Sequence, residues 1–121
     1  MDIVSRKRIN LLINLAGITR VDSRGPDVKL IQRVAAECDF PIRELKELVD
    51  SPEPIGSFGA LSQNQKEQYM FNICELMALV ELSEYKKLLC HKVAHELEYD
   101  NNELTQIIHR FQRKILVEKP A

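Results

Sequence analysis

The chain is 121 residues long, with 4 glycines, no tryptophan, and 17 basic against 18 acidic side chains for a formal charge of −1. That length suits one ordinary domain with an apolar core that needs no disulfide or metal to hold it. A near-neutral charge argues against nucleic acid as a partner, because phosphate binding needs a concentrated positive surface.

Taken in chain order, start and stop signals mark six helices. The first is expected over Ile3–Val21, with Ile9, Leu12, Leu15 or Ala16 and Ile18 or Thr19 at helical spacing. Gly25-Pro26 then reads as an N-cap followed by proline at the first helical position, where its missing N–H is no loss. That second helix is expected to reach about Cys38. A third begins after Asp39 with Pro41 early and ends near Val49. Residues 50–60, DSPEPIGSFGA, concentrate proline and glycine and read as a connection, with Ile55 and Phe58 expected to tuck back rather than stay exposed. Ser62-x-x-Gln65 has the form of a capping box and opens the fourth helix, which carries Tyr69, Ile73, Leu76, Met77 and Val80 on one side. Ser83 can cap the fifth. Asp100-x-x-Glu103 has the same box spacing and opens the sixth, which runs to about Val117.

A gapless shift of 59 residues lays the first half on the second. Leu30 falls on Leu89, Val34 on Val93, Ala35 on Ala94, Phe40 on Tyr99, Glu44 on Glu103 and Leu45 on Leu104. The fold class expected is therefore all-α, a bundle of two similar three-helix halves, about 3–49 and 62–117, joined by the loop 50–60.

Several residue groups could carry chemistry. Asp22, in the stretch RVDSRGPD, and Asp27 flank a helix corner, and under the shift Asp22 falls on Glu81, with Glu84 close by. These four form a thin carboxylate set for a hard cation, which wants about six to eight oxygens. Asp27 also has a purely structural use, since a carboxylate in the first turn of a helix is favoured by the helix dipole. His91, His95 and Glu98 share one side of the fifth helix, but Lys92 stands where the His-Glu-x-x-His zinc motif needs its glutamate. They read as an exposed surface opposite a buried stripe of Leu89, Val93 and Leu97. The cysteines Cys38, Cys74 and Cys90 form no Cys-x-x-Cys pair and lie in apolar patterns, as small reduced core residues do. Arg6-Lys7-Arg8 and His109-Arg110-Phe111-Gln112-Arg113-Lys114 are basic ends suited to an anionic membrane surface, although cations also belong in the last turns of a helix. Phe111, Ile115 and Leu116 are expected to pack the last helix. Neither a nucleophile elbow nor a phosphate loop is present, so no enzyme is expected.

The two halves, LAGITRVDSRGPDVKLIQRVAAECDF (15–40) and LMALVELSEYKKLLCHKVAHELEY (76–99), resemble the TerB-like family, the all-helical domain named for tellurite resistance. The likeness spans roughly residues 8–111. The family pattern is an apolar helix ending Ala-x-Ala-Asp-Gly, a short turn, and a glutamate early in the next helix. The resemblance implies a non-enzymatic accessory role in chemical stress, divalent-metal binding at the acidic turns, and a protein partner. This chain departs from the pattern at the turn, with Ser23 and Leu82 in place of the glycines, Glu81 in place of the second aspartate, and Lys29 in place of the glutamate. Weak metal binding at Asp22, Asp27, Glu81 and Glu84 is what remains of that expectation. The alternative is a metal-responsive sensor acting at the same turns. The absence of any bilayer-spanning run and of a secretory h-region points to the cytoplasm.

Overall fold

The computed structural model describes residues 3–118, and side chains as far as residue 113. Among the described residues there are six helices and no strand: α1 Ile3–Ala16, α2 Pro26–Glu37, α3 Ile42–Asp50, α4 Gln63–Leu79, α5 Glu84–Glu96 and α6 Asn101–Glu118. The fold is all-α, as the helical periodicity predicts. The chain divides into two compact units, Met1–Leu61 and Ser62–Ala121, with three helices each.

In the first unit α1 packs against both α2 and α3. Its stretch from Arg8 to Ile13 is buried without a break, with Ile9 and Leu12 at 0% exposure. The helix stops at Ala16 and does not continue to Val21. Gly17 takes a left-handed φ of 68°, and its N–H closes on the Ile13 carbonyl at 2.8 Å. Glycine reaches that conformation without the Cβ clash that other residues suffer. Val28, Ile31, Val34, Leu45 and Leu48 complete the apolar interior.

In the second unit α4 lies most extensively along α6, and α5 touches both. Tyr69, Met70, Ile73, Cys74, Leu76, Cys90, Val93 and Leu104 are among its buried side chains. Met77 and Val80, expected on the buried side of α4, are only half-buried. On α5 the buried positions are Cys90, Val93 and Ala94, with Leu97 just beyond, while Leu89 is half-buried. The stripe is therefore centred about one residue further along than Leu89 suggests.

The 59-residue offset extends to how the helices end. Among the described residues, Asp39 and Glu98 are the two non-glycine residues with positive φ, at 54° and 69°. Each follows the C-cap of the second helix of its unit. The Phe40 N–H donates to the Ala35 carbonyl at 2.8 Å and Asp39 N–H to Ala36 at 3.2 Å. At the matching places Tyr99 N–H donates to Ala94 at 2.9 Å and Glu98 N–H to His95 at 3.0 Å. Both are Schellman motifs, in which paired backbone bonds satisfy the last carbonyls of a helix. The helix starts do not repeat in this way: in the second unit the Ser62–Gln65 box is complete in both directions, as is Asp100–Glu103, and the Ser83 hydroxyl accepts from the Lys86 N–H, whereas Gly25 and Pro41 in the first unit make no side-chain cap. Pro41 is the N-cap of α3 and stands just outside the helix.

Candidate functional site

Among the described residues, three open recesses and an exposed helix face offer places where chemistry could gather. Each lies within a single unit.

The corner between α1 and α2 encloses about 240 Å³, lined by Thr19, Arg20, Val21, Asp22, Lys46 and Asp50. Val21 is held inward, its carbonyl accepting from the Gln32 side chain. Asp22, carried at the exposed edge of this corner, is 3.4 Å from Arg20 Nε, and both side chains are 74% exposed. Asp27 faces elsewhere. Its Oδ1 accepts from the Val28 N–H at 2.9 Å, so the carboxylate is taken up by the first turn of α2. A Cβ on Gly25 would come within 2.5 Å of that same oxygen, so the N-cap glycine leaves space for the carboxylate.

The matching corner of the second unit is larger, about 430 Å³, lined by Met77, Ala78, Leu79, Val80, Glu81, Leu82, Lys87, Ile108 and Gln112. Residues 77–80 are all half-buried, so Met77, Leu79 and Val80 add accessible apolar surface to a lining that is otherwise mostly polar and includes Glu81, Lys87 and Gln112. Glu81 is exposed, and Glu84 pairs with Lys87 at 3.3 Å in the first turn of α5.

As a metal site the four carboxylates fit poorly. Asp22 shares its recess with two cations, Arg20 and Lys46, which oppose a metal ion. Asp27 is occupied with its own helix terminus, and Glu84 with Lys87. Among the described residues no group of three or more His, Cys, Asp or Glu side chains is gathered so as to hold a metal ion.

The third recess, about 290 Å³, lies under residues 53–58, with Lys7, Asn10 and Leu11 forming its α1 side. Here α1 holds the connection down by polar contacts. The Asn10 side chain donates to the Glu53 carbonyl at 3.0 Å and accepts from the Glu53 N–H at 2.9 Å. Asn14 donates to the same carbonyl at 3.1 Å, Lys7 to the Ser57 carbonyl at 2.7 Å, and Arg6 Nε to the Glu53 carboxylate at 3.2 Å. That bond to Glu53 raises the Arg6 pKa above its ordinary value. Phe58 is buried and Ile55 half-buried, so the connection folds back as expected. The N-terminal basic run is thereby engaged inside its own unit, with Arg8 buried and donating to Cys38 Sγ at 2.8 Å.

Cys38 is accordingly a half-buried helix cap and not a core residue, whereas Cys74 and Cys90 are fully buried and all three are free thiols. Burial pushes the Cys74 and Cys90 thiols up to about 12. They are inert packing groups at neutral pH, since the thiolate is the reactive form. His91 is half-buried with Nδ1 3.1 Å from Asn101 Oδ1, and His95 is exposed. Glu98 is paired with Lys66 at 3.2 Å and joins neither histidine. Phe111 stacks edge-on against Phe71 at 6.2 Å, whereas the side chains of Lys114, Ile115 and Leu116 lie outside those described.

Sequence reasoning missed the Asn10 and Asn14 clamp and the exposed pair Tyr85 and Leu88 on α5, at 74% and 68% exposure. The signals were present. Two asparagines four apart interrupt the apolar run INLLINLA, and Tyr85 and Leu88 fall off the stripe that ends in Leu97.

Comparison with protein-family models, with curated proteins and with solved structures finds no match. No helix among the described residues is long and apolar enough to cross a membrane.

Proposed function

We propose that this chain is a non-enzymatic, TerB-like accessory protein of the cytoplasm that acts by binding a protein partner in a chemical-stress response. The observation that carries the reading is a set of accessible apolar side chains in the otherwise mostly polar second-unit corner. Met77, Leu79, Val80 and Ile108 lie accessible beside Glu81, Lys87 and Gln112. Accessible apolar side chains set among polar ones are how protein interfaces are commonly built. The corresponding first-unit corner names Arg20, Asp22, Lys46 and Asp50 with Val21 as its apolar residue, so the second corner is the one we propose for docking. Divalent-metal binding, which the resemblance attaches to Asp22, is at most weak here because Arg20 and Lys46 share that recess.

The test combines a substitution with a phenotype. Val80→Lys places a charge among these apolar side chains at a half-buried position and is expected to keep the fold, as read by an unchanged helical signal and melting transition. Cells lacking the chain should lose tolerance of tellurite, wild type should restore it, and Val80→Lys should not. Full restoration by Val80→Lys would overturn the docking role of the corner. Unchanged tolerance in cells lacking the chain would overturn the stress assignment. A calcium titration of backbone amides should leave Arg20 to Asp27 unshifted below about millimolar concentrations, the range of weak calcium sites.

A further inference from the structure

Under the 59-residue offset α1 corresponds to α4, and α3 to the first half of α6. The second half of α6, residues 110–118, is helical, whereas its counterpart 51–59 in the first unit is not. Pro52 and Pro54 account for the difference. Proline has no N–H to give to a helix and holds the residue before it out of the helical region. The helix that carries this segment has changed with it. Asn10 and Asn14 of α1 stand where α4 has Tyr69 and Ile73, both buried. The first unit thus has side-chain amides, set to read a peptide backbone, where the second has apolar packing.

What these amides read does not depend on side chains. Asn10 donates to the Glu53 carbonyl at 3.0 Å and accepts from the Glu53 N–H at 2.9 Å, and Asn14 donates to that carbonyl at 3.1 Å. Any extended segment offers the same pair of backbone groups, and pockets for its side chains then supply the selectivity. Here Arg6 takes the Glu53 carboxylate, Lys7 takes the Ser57 carbonyl, and Ile55 and Phe58 line one recess with Leu11. Yet the segment lies shallow, for between residues 51 and 60 Phe58 alone is buried.

We propose that this face of α1 is a receptor for an extended acidic segment of another protein, of the Pro-Glu-Pro-aliphatic type, and that residues 53–58 fill it in cis as an autoinhibitory strap. The strap's hold is mostly polar, which is what makes it displaceable. When it opens, water reaches the hydrogen-bonding groups on both sides, so their net contribution is small. The exposed pair of Arg6 with Glu53 adds little more. An incoming segment with the same flanking prolines is already extended and loses little freedom on binding. Arg6 and Lys7 favour an acidic one. The proposal does not depend on the second-unit corner being a docking site.

The probe is the peptide SPEPIGSFGA, residues 51–60 of the chain, carrying an N-terminal fluorophore and read by anisotropy. A full-length variant with residues 52–58 replaced by a glycine–serine linker of equal length leaves the receptor face open. It should keep its helical signal and bind the peptide about tenfold or more tightly than wild type, whose competent state is only fractionally populated. Adding Asn10→Ala should abolish that binding, and so should Glu53→Lys in the peptide. Glu53→Lys in the intact chain opposes Arg6 and leaves Phe58 in place. It should raise the affinity for the unaltered peptide above that of wild type, which keeps the test decisive where the linker variant does not fold. No saturable binding by either opened chain, equal affinity for opened and wild-type chains, or binding that survives Asn10→Ala would each overturn the proposal. So would self-association of wild type in the absence of peptide that Asn10→Ala removes, because a second copy's strap would then be the occupant.

Discussion

Asp39 and Glu98 show how much is decided by one backbone angle. Both take left-handed φ, which costs an ordinary L-residue roughly 1 kcal/mol and glycine almost nothing. Both Schellman bonds at these sites are made by backbone groups, so the side chains are dispensable to the cap. Glu98→Gly gives up only an exposed ion pair with Lys66, and such pairs contribute little. Asp39→Gly and Glu98→Gly should therefore each raise the urea midpoint by an amount equivalent to about 0.5–1 kcal/mol, with no change in slope. The two buried thiols give a second prediction at this scale. Their folded pKa values, about 12, lie above the roughly 8.5 of an exposed thiol. The folded state thus holds protons that the unfolded state releases, so stability is constant below about pH 8 and falls as pH rises toward 12. Burial also raises the Tyr99 pKa, and its contribution has the same sign. Urea titrations in reductant at pH 8 and pH 10 should show a loss on the order of 1 kcal/mol or more. A Cys74→Ala/Cys90→Ala variant should be less stable at pH 8 and lose less on going to pH 10. Alkylation of the folded protein at pH 8 should modify Cys38 first, because it alone of the three has accessible surface.

Among the elements, the connection 51–61 is the instructive one. Its composition reads as a turn-rich linker, and such a segment usually lacks fixed partners. Here Asn10 imitates a neighbouring strand, giving one side-chain acceptor to the Glu53 N–H and one donor to its carbonyl. Asn10 is itself 5% exposed, so its own polar atoms would be costly to leave unsatisfied. Asn10→Ala should lower stability by about 1–2 kcal/mol, for two lost bonds at a buried site. Hydrogen exchange at the Glu53 amide should accelerate while the α2 amides keep their protection relative to global unfolding. Equal acceleration across the first unit would mean that the clamp belongs to the unit's global stability and not to the loop alone. The helix starts behave more simply. Ser62, Ser83 and Asp100 make the capping bonds that their spacing predicts, because a cap is local and its partner is always two or three residues away.

At the scale of the whole chain the repeat organises everything: six helices fall into two units, and the second helix of each ends in the same backbone motif at the same offset. The boundary between units falls after Leu61, next to the exposed Gly59 and Ala60. Exposed small residues at a boundary are where proteases cut first. Brief elastase digestion should therefore nick after Ala60 and yield two fragments of nearly equal length, before cleavage within any helix. Early cleavage inside α2 or α5 instead would contradict the two-unit description.

What the sequence by itself determined is what depends on near neighbours. Helical periodicity, the capping boxes and proline at the start of α2 are set by residues within a turn or two, and the offset between halves is read by laying the sequence on itself, so all are legible without coordinates. Where α1 ends was misjudged, because apolar spacing through Ile18 outweighed Gly17, whose φ of 68° closes the helix. The candidate site was the least legible part. Whether Asp22 faces a metal ion or Arg20 and Lys46 depends on bringing α3 up to the α1–α2 corner, a contact between residues some 24 apart. That Asn10 would hold Glu53, that Arg8 would bury itself against Cys38, and that Met77 to Val80 would line a recess with Ile108 are likewise decided by packing. Local sequence sets which face of a helix is apolar. Only the tertiary structure decides which of those faces is covered.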